Sequence, residues 1–368
     1  QKNHEMANKS ARQALFIITA ISVFIVVLGL AFRAPLLSFI FGKVDADVME
    51  NSMVYFFYTV LSYPFIALYD AGASIFRAQE NTRGPMVISI ISNVMNIVGN
   101  GILIWVFHMG VAGAAISTLV SRIFCAVVVL YQLRKDRQPI VVRDYLKIRP
   151  DGKMIGRILA LGIPSGIENS MFQLGKLAIQ STVSTLGTTA IAAQAMTNML
   201  EMLNGTAVIG VGIGLMTVVG QSLGAGKKDE AVYYMKKLMI FSEVFLIACC
   251  AVVYVLARPI TMIGGMEAKS AEMCLDMMFW ITIVKPIVWM FAFIPAYGMR
   301  AAGDVKFSMI TSCITMWTFR FCLCVYLIRV CGMGPMAVWI GMFTDWTVRA
   351  IVFGLRFKSG KWMEHKVV

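Results

Sequence analysis

Long apolar runs recur along the whole chain, separated by short segments that hold most of its charged residues. Most runs reach the roughly 20 residues that a helix needs to cross a hydrocarbon core about 30 Å thick. These runs lack the alternation of apolar and polar positions that is typical of a half-buried strand. Only helices and closed barrels can span a membrane, so the pattern predicts an all-α polytopic membrane protein.

Ten membrane spans are predicted from this pattern. The composition agrees, since the chain is 58% apolar and only 14% charged, whereas roughly 25% of the residues of an average soluble domain are charged. The predicted spans cover residues 13–42, 52–76, 85–107, 111–133, 158–184, 189–222, 238–263, 271–299, 307–330 and 335–357.

The distribution of basic residues predicts the orientation in the membrane. The net charge is +13, which in a soluble protein would suggest a nucleic-acid partner. Here most of the 33 Lys and Arg residues fall in alternate segments between the spans, and basic segments stay on the cytoplasmic side. We therefore expect the amino end, the segment 134–157 and the carboxyl end in the cytoplasm. The excess of basic residues indicates contact with membrane lipid and no nucleic-acid partner.

Two turn sequences echo each other along the chain. They read SIFRAQENTRG at 74–84 and YGMRAAGDVKF at 297–307, and they place Arg77 and Arg300 at corresponding positions. Each sequence follows a long apolar run. Internal repeats of this kind are typical of transporters that are built from two halves.

The repeat divides the chain into a first lobe of four helices (1–134), a cytoplasmic linker (135–157) and a second lobe of six helices (158–368). The second lobe has two spans before its AGKKDEA turn at 225–231, whereas the first lobe begins at a matching turn in 1–16. We therefore expect two further helices upstream, so that this chain holds ten of twelve transmembrane helices.

Five turn sequences together resemble the multidrug and toxic compound extrusion (MATE) transporters. They are the two sequences above, VVGQSLGAGKKDEA at 218–231, MGVAGAAIST at 109–118 and LGIPSGIENSMFQ at 161–173. The resemblance implies two six-helix lobes around a central cleft, which alternate between outward-open and inward-open states. It also implies export of organic, often cationic, compounds against inflow of Na⁺ or H⁺. The chain departs from the family pattern at Glu80, where Gly is usual, and at Trp289, near a place where some members carry an acid.

Charged and small residues at these turns are suited to ending one helix and starting the next. A cation stabilises the negative end of a helix, a glycine can take the left-handed conformation that stops it, and an acid or amide can cap the following helix. The residues assigned to structural turns are Arg77, Arg300, Gly303, Asp304, Gln221 and Gly224, with Asn81 as the cap of the first lobe.

Ionisable residues inside spans are candidates for coupling to a cation gradient. Each costs at least about 2.5–3.5 kcal/mol at a span centre, so each needs a reason. A carboxylate there can take H⁺, or Na⁺ with the help of amide oxygens. The alternative is a structural ion pair with an intramembrane base, namely Arg122, Lys285 or Arg320. The coupling candidates are Glu168, Glu201, Asn198, Gln194, Gln173 and Asp70.

Aromatic residues on the eighth predicted span are candidates for the substrate cleft. Aromatic faces attract organic cations, and in the family this span faces the cleft. The cleft candidates are Trp289, Phe291, Tyr297, Asn169 and Lys285. On the last span, Asp345 and Arg349 lie four residues apart and are expected to pair with each other. The eight Cys lie mostly inside spans without a CxxC motif, so we interpret them as packing residues and expect no metal site.

An enzyme is not expected, because the sequence contains no HExxH, no DDxxD, no nucleophile elbow and no P-loop. The two-lobe repeat also argues against a channel. The predicted function is a secondary active antiporter in the inner (plasma) membrane. We expect it to export small organic compounds, mainly cations, in exchange for Na⁺ or H⁺. We also expect a monomer that needs no cofactor. The alternative left open is a lipid-linked sugar or polysaccharide flippase of the same superfamily, which would need a basic cleft.

Overall fold

The structure is a computed structural model that describes residues 4–41, 46–135, 140–142 and 149–364. All regular secondary structure within these residues is helical, as the hydrophobic pattern predicts. The contacts divide the chain into two units, Gln1–Leu159 and Ala160–Val368. The division lies close to the predicted start of the second lobe at residue 158.

The first unit contains six α-helices, with a π-helical segment after the fifth, among its described residues. In chain order they are α1 (His4–Ala31), α2 (Arg33–Phe41), α3 (Ala46–Leu61), α4 (Tyr63–Ala78), α5 (Arg83–Gly101), the π-helical segment Ile102–Val106, and α6 (Gly110–Leu133).

The second unit contains four long α-helices and three shorter ones among its described residues. In chain order they are α7 (Gly152–Val183), which begins in the last residues of the first unit, α8 (Thr188–Gly224), α9 (Lys228–Ile263), α10 (Ala268–Ala301), α11 (Val305–Thr315), a π-helical segment Met316–Cys322, α12 (Leu323–Arg329) and α13 (Met336–Lys358).

Nine helices among the described residues are long and apolar enough to cross a membrane. They correspond to nine of the ten predicted spans, with α3 and α4 together forming one of them. The remaining predicted span, 158–184, is helical as part of α7. It is not one of the nine, because polar side chains such as those of Glu168, Gln173 and Lys176 lower its hydropathy. Composition alone therefore does not mark α7 as a span.

Close backbone approach holds the helices of the second unit together. A Cβ atom at Gly341 of α13 would lie 2.8 Å from the backbone oxygen of Arg320. A Cβ atom at Gly212 of α8 would lie 2.6 Å from the ring of Tyr297 on α10. Small residues let membrane helices approach this closely. The indole of Trp346 on α13 is buried in the same core, so the second unit has a core of large side chains with glycines at the helix contacts.

The first unit has a smaller core around α4 and α6. Val129 and Leu133 of α6 are fully buried against Phe76 of α4. Gly72 allows this contact, since a Cβ atom there would lie 2.9 Å from the side chain of Val129. Arg122 of α6 reaches Ser62, whose hydroxyl oxygen accepts a hydrogen bond of 2.5 Å from Nη1.

The turn after α10 has the predicted left-handed glycine. Gly303 has φ +88°, and its backbone N–H donates to the carbonyl oxygen of Arg300 at 3.1 Å. The N–H of Asp304 donates to the carbonyl oxygen of Met299 at 2.9 Å. These two bonds form a Schellman motif, which satisfies the last carbonyl groups of the helix. The prediction for Gly303 is therefore confirmed.

The corresponding turn of the first unit has the same geometry with a less suitable residue. Glu80 has φ +64°, and the N–H groups of Glu80 and Asn81 donate to the carbonyl oxygens of Arg77 and Phe76, each at 3.0 Å. The side-chain oxygen of Asn81 accepts a hydrogen bond of 3.2 Å from the N–H of Gly84 in the first turn of α5, as its predicted capping role requires. The departure from the family pattern at Glu80 thus puts a side chain in a left-handed position.

The prediction that the side chain of Asp304 caps the next helix is wrong. Asp304 stands at the N-cap of α11, but its side chain accepts no capping hydrogen bond. Its Oδ2 instead accepts a hydrogen bond of 2.8 Å from Nε of Arg356, since a charged donor makes the stronger bond. After α8, Gly224 is the last residue of the helix, and Gly226, two residues further on, has the left-handed φ of +77°. Gln221 lies in that last turn, where its carbonyl oxygen accepts from the N–H of Ala225.

The end of the predicted linker binds α1. Asp151 pairs with Lys9, and its Oδ1 accepts hydrogen bonds from the N–H groups of Lys153 and Met154 at 3.0 and 3.2 Å. The hydrogen bond from Lys9 and those from the backbone hold the pKa of the Asp151 carboxyl below its usual range. Asp151 thus caps α7 and ties its start to α1. The linker residues 136–139 and 143–148 lie outside the described residues.

Candidate functional site

A cavity of about 400 Å³ lies within the second unit, in the size range of pockets that hold small organic molecules. Residues of α7, α8, α10, α11, α13 and the π-helical segment line it. Its aromatic lining consists of Phe172, Trp289, Phe293, Tyr297, Trp346 and Phe353. The charged side chains in its wall are Glu168, Glu201, Lys176, Arg300, Arg320 and Arg349.

Glu201 of the cavity wall forms an ion pair with Lys285, which is buried behind it. Nζ of Lys285 lies 2.5 Å from Oε1 of Glu201 and donates a second hydrogen bond of 3.1 Å to the backbone oxygen of the same residue. The lysine side chain is fully buried, whereas 20% of the glutamate side chain is exposed. The ammonium group also lies 5.3 Å from the ring centre of Trp289. A buried lysine needs such a partner, so Glu201 neutralises Lys285.

Glu168 and Arg300 form a second ion pair, between α7 and α10. Nη2 of Arg300 lies 2.7 Å from Oε1 of Glu168, and its guanidinium lies 5.6 Å from the ring centre of Tyr297. Oε2 of Glu168 and Nε of Arg300 are buried and have no hydrogen-bond partner among the described residues. Arg300 was assigned to a structural turn, and its side chain in addition reaches the cavity wall.

Arg349 is held in place by neighbours on two helices. Its Nε lies 2.7 Å from Oδ1 of Asp345 one turn earlier on α13, which confirms the predicted pairing. Its Nη2 donates to the backbone oxygen of Ser312 at 3.0 Å. Both side chains of the pair are almost fully buried. This arginine is therefore neutralised and fixed within the protein.

Arg320 differs from the other arginines of the cavity. It is only 6% exposed, and among the described residues it takes part in no ion pair within 4.0 Å. Its guanidinium carbon lies 5.1 Å from the ring centre of Phe172, and its buried Nε has no hydrogen-bond partner in the described part of the chain. It lies in the π-helical segment Met316–Cys322, and such segments occur often at functional sites.

The match to known proteins agrees with this arrangement of membrane helices. The family model described as MatE matches residues 1–102 and 164–326. The chain belongs to the MatE family. It is therefore a multi-pass membrane transporter of the multidrug efflux type.

Two relatives of this MatE chain match most of its length. The probable multidrug resistance protein NorM of Thermotoga maritima is 25% identical over 343 residues, which cover 89% of this chain and 71% of that protein. The uncharacterized transporter YisQ of Bacillus subtilis is 26% identical over 373 residues, which cover 98% of this chain and 78% of that protein.

Solved structures support the fold of the MatE chain. A multidrug resistance MATE family transporter in its outward-facing conformation superposes with a TM-score of 0.88 at 18% identity, covering 98% of this chain and 80% of that one. A MOP superfamily transporter from Pyrococcus furiosus, described with a reverse polarity of its binding pocket, superposes with a TM-score of 0.90 at 18% identity, covering 99% and 81%. At this identity the likeness concerns the fold alone.

The structure of the MatE chain brings some of the predicted site residues together. The cavity wall contains Glu168, Glu201, Trp289, Tyr297 and Asn169. The prediction that Lys285 lines the cleft is wrong, because its side chain is fully buried against Glu201 and is not part of the lining. Asn169 lies beside Glu168 on α7, where its side-chain amide donates to the backbone oxygen of Ser165 at 2.9 Å. Of the alternatives left open for Glu201, the structure has the pair with Lys285.

Other predicted residues lie away from the cavity. The amide of Gln194 donates to Oδ1 of Asn198 at 3.2 Å and accepts a hydrogen bond of the same length from the indole of Trp339. These bonds link the two amides of α8 to each other and to α13. The side-chain oxygens of Gln194 and Asn198 thus each accept one hydrogen bond within the protein. Gln173 of α7 and Phe291 of α10 are exposed and do not line the cavity.

Asp70 lies on α4 of the first unit. Its side chain is exposed and, among the described residues, takes part in no ion pair within 4.0 Å. The nearby Arg77 donates from Nη2 to the hydroxyl oxygen of Ser74 at 2.8 Å, and Ser74 donates to the backbone oxygen of Asp70. No group of three or more metal-ligating side chains occurs in the described part of the chain.

Sequence reasoning missed Phe172, Lys176 and Phe293 as parts of the site. The signal was present in the helical spacing. Glu168, Phe172 and Lys176 follow one another at intervals of four, and Phe293 lies four residues after Trp289. Residues four apart share one face of a helix, so extending each candidate by a turn would have found them.

Proposed function

We propose that the chain exports small organic compounds by secondary active antiport, driven by inflow of Na⁺ or H⁺, with alternating access to the two sides of the membrane. The supporting observation is the cavity of about 400 Å³ among membrane-spanning helices, with six aromatic residues and the carboxylates of two ion pairs in its wall. Charges inside a membrane are costly and mark functional sites. The family favours a multidrug exporter over the lipid-linked sugar flippase.

Asp70 is our proposed ligand for the coupling cation. A coupling carboxylate must be able to take Na⁺ or H⁺ and release it again. Glu168 and Glu201 each hold a base of the protein, so a cation would have to displace an arginine or a buried lysine. The carboxylate of Asp70 has no ion pair in the described part of the chain. Among the predicted candidates it is therefore the one best able to bind the cation.

The proposal is tested with the purified chain in proteoliposomes. Imposed Na⁺ and pH gradients are applied with a panel of cationic and anionic fluorescent dyes, and dye movement is followed. We expect movement of at least one dye to depend on one gradient and to stop when an ionophore dissipates it. If no dye responds to either gradient, antiport is refuted.

The role of Asp70 is tested in the same proteoliposomes. Asp70→Asn is expected to abolish the dependence on the gradient without abolishing dye binding. Asp47→Asn makes the same change at an exposed residue of α3 in the same unit and should behave like the unmodified chain. Full gradient dependence in Asp70→Asn would refute the assignment.

We further propose that the chain acts as a monomer in the inner membrane with both ends in the cytoplasm, as the positions of its basic residues indicate. A protease-cleavable tag after the carboxyl end should be cut in inverted vesicles and protected in intact cells. Cleavage in intact cells would show that the carboxyl end lies outside the cytoplasm and would refute the proposed orientation. The mass of the purified particle, from light scattering, checks the monomer.

A further inference from the structure

We propose that the cavity of the second unit binds an organic anion, with an aromatic body and one carboxylate, sulfonate or phosphate group. The proposal rests on the proposed function in that this anion would be the exported compound. It reverses the cationic substrate that the sequence led us to expect. The structural basis is the excess of basic side chains in the cavity wall and the way its acids and aromatic rings are already occupied.

The charges of the cavity wall do not cancel. Four basic side chains line it, those of Lys176, Arg300, Arg320 and Arg349, against the two carboxylates of Glu168 and Glu201. A fifth base, Lys285, is buried behind the wall against Glu201. The carboxylates neutralise Arg300 and Lys285, and Asp345 neutralises Arg349. Two positive charges therefore remain, on Arg320 and Lys176.

Arg320 supports an anion site more strongly than Lys176 does. It is almost completely buried, lies at the cavity and has no ion pair among the described residues. A buried charge in a membrane protein is stable only with a partner. Since the described part of the chain supplies no carboxylate within 4.0 Å, a ligand anion is the partner that this position lacks.

Three cations surround a single aromatic ring. The charged groups of Lys176, Arg320 and Arg349 lie 4.9, 5.1 and 5.8 Å from the ring centre of Phe172. Like charges brought this close together repel one another. An anionic group bound beside Phe172 would relieve the repulsion and accept charge-assisted hydrogen bonds from Arg320 and Lys176.

An organic cation would find few attractive groups in this cavity. Both lining carboxylates already hold a base. The rings of Trp289, Tyr297 and Phe293 are each faced by a cation of the protein, from Lys285, Arg300 and Arg349 respectively, at 5.3 to 5.6 Å. The attraction between a ring and a cation is therefore used within the protein at these three rings and at Phe172.

The aromatic wall suits the body of the ligand. The rings of Trp289 and Phe293 are stacked at 4.9 Å, and Phe293 meets Trp346 edge to face at 6.5 Å. Flat apolar groups pack well on such rings. The volume of about 400 Å³ is suited to a molecule of a few fused rings.

Two dyes with the same ring system and opposite charge test the proposal. Fluorescein is anionic and rhodamine 123 is cationic, and both are xanthenes. Binding of each to the purified full chain in a neutral detergent is measured by fluorescence anisotropy. We expect fluorescein to bind at least roughly tenfold more tightly than rhodamine 123. Tighter binding of rhodamine 123 would overturn the proposal.

Substitutions locate the anion within the cavity. Arg320→Gln and Lys176→Gln are each expected to weaken fluorescein binding roughly tenfold and to leave rhodamine 123 binding no weaker. Lys176 is exposed on α7, so its variant should fold even if Arg320→Gln does not. Arg329→Gln, at an exposed arginine of α12 outside the cavity, is the matched control. Unchanged fluorescein binding in Lys176→Gln would overturn the assignment.

A lipid arm of the experiment identifies the source of the anion. Phosphatidylglycerol is added at rising concentration beside a phosphatidylcholine control. Competition with fluorescein that is lost in Lys176→Gln indicates a lipid headgroup, and absence of competition indicates a soluble organic anion. Gradient-driven transport of rhodamine 123 without fluorescein binding would overturn this inference and leave the proposed antiport standing. Fluorescein binding without any gradient-driven transport would refute the proposed antiport and leave the anion site standing.

Discussion

Removing the carboxylate of Glu201 is expected to destabilise the second unit strongly, because it leaves a fully buried lysine without its counter-ion. In Glu201→Gln, Nζ of Lys285 loses the carboxylate charge whose nearest oxygen now lies at 2.5 Å. It keeps only uncharged partners, namely the amide oxygen of the new side chain, the backbone oxygen at 3.1 Å and the ring of Trp289. None of these carries a full negative charge, so none replaces the ion pair.

The expected loss in the free energy of unfolding follows from how deeply the side chains of Glu201 and Lys285 are buried. Breaking a buried ion pair costs about 3–5 kcal/mol. The side chain of Glu201 is 20% exposed, and the remaining contacts of Lys285 offset part of the loss, so we expect about 3 kcal/mol. The double variant Glu201→Gln/Lys285→Met removes both charges and should return to within about 1 kcal/mol of the original stability.

The assay is unfolding by sodium dodecyl sulfate in mixed micelles, followed by tryptophan fluorescence. Glu243→Gln is the matched control, because among the described residues Glu243 of α9 has no ion pair within 4.0 Å to lose. Its variant should stay close to the original stability. If Glu201→Gln and the double variant were equally unstable, Lys285 would not depend on Glu201, and the reasoning from the buried pair would be refuted.

Three further predictions concern turns and buried charges. Glu80→Gly should stabilise the first unit by about 0.5–1 kcal/mol in the same assay. The left-handed backbone at φ +64° costs a non-glycine residue about 1–2 kcal/mol, and the greater conformational entropy of glycine in the unfolded chain offsets part of the gain. A loss of stability would show that the turn is not strained. Asp345→Asn should cost about 3–5 kcal/mol by leaving Arg349 buried without a counter-ion, and Asp345→Asn/Arg349→Met should recover most of it; no recovery would contradict the pairing. The pKa of Asp151 lies below its usual range because of Lys9, so its contribution is present above about pH 4 and is lost as the pH falls further. The stability difference between the original chain and Asp151→Asn should shrink below about pH 4, and a constant difference would contradict it.

The features of the site that lie within one helix or turn could be predicted from the sequence. The faces of α7 and α10 follow from spacing, since Glu168, Phe172 and Lys176 repeat every four residues. The pair of Asp345 and Arg349 has the same spacing and was predicted. Gly303 is the left-handed residue that its turn sequence indicates. These features depend on neighbours within one or two helical turns, and such neighbours are fixed by the local geometry of the chain.

The partners of the other charges could not be predicted. The sequence showed that Glu201 and Glu168 lie within spans and offered several bases. The structure pairs them with Lys285 and Arg300, 84 and 132 residues further along the chain. Arg300 was assigned to a structural turn, without a partner for its side chain. The pairing depends on which helix faces lie against each other, and periodicity within one helix does not contain that information.

The sequence by itself determined that this chain is an all-α membrane transporter, because span length, hydropathy and turn chemistry are local properties that water and lipid impose on any chain. Only the tertiary structure decided the character of the cavity. The side chains of α7, α10, α13 and the π-helical segment meet there, and their meeting leaves Arg320 buried without a carboxylate among the described residues. A count of charges along the sequence shows the residues that could be paired, but only the packing of the helices decides which of them are neutralised.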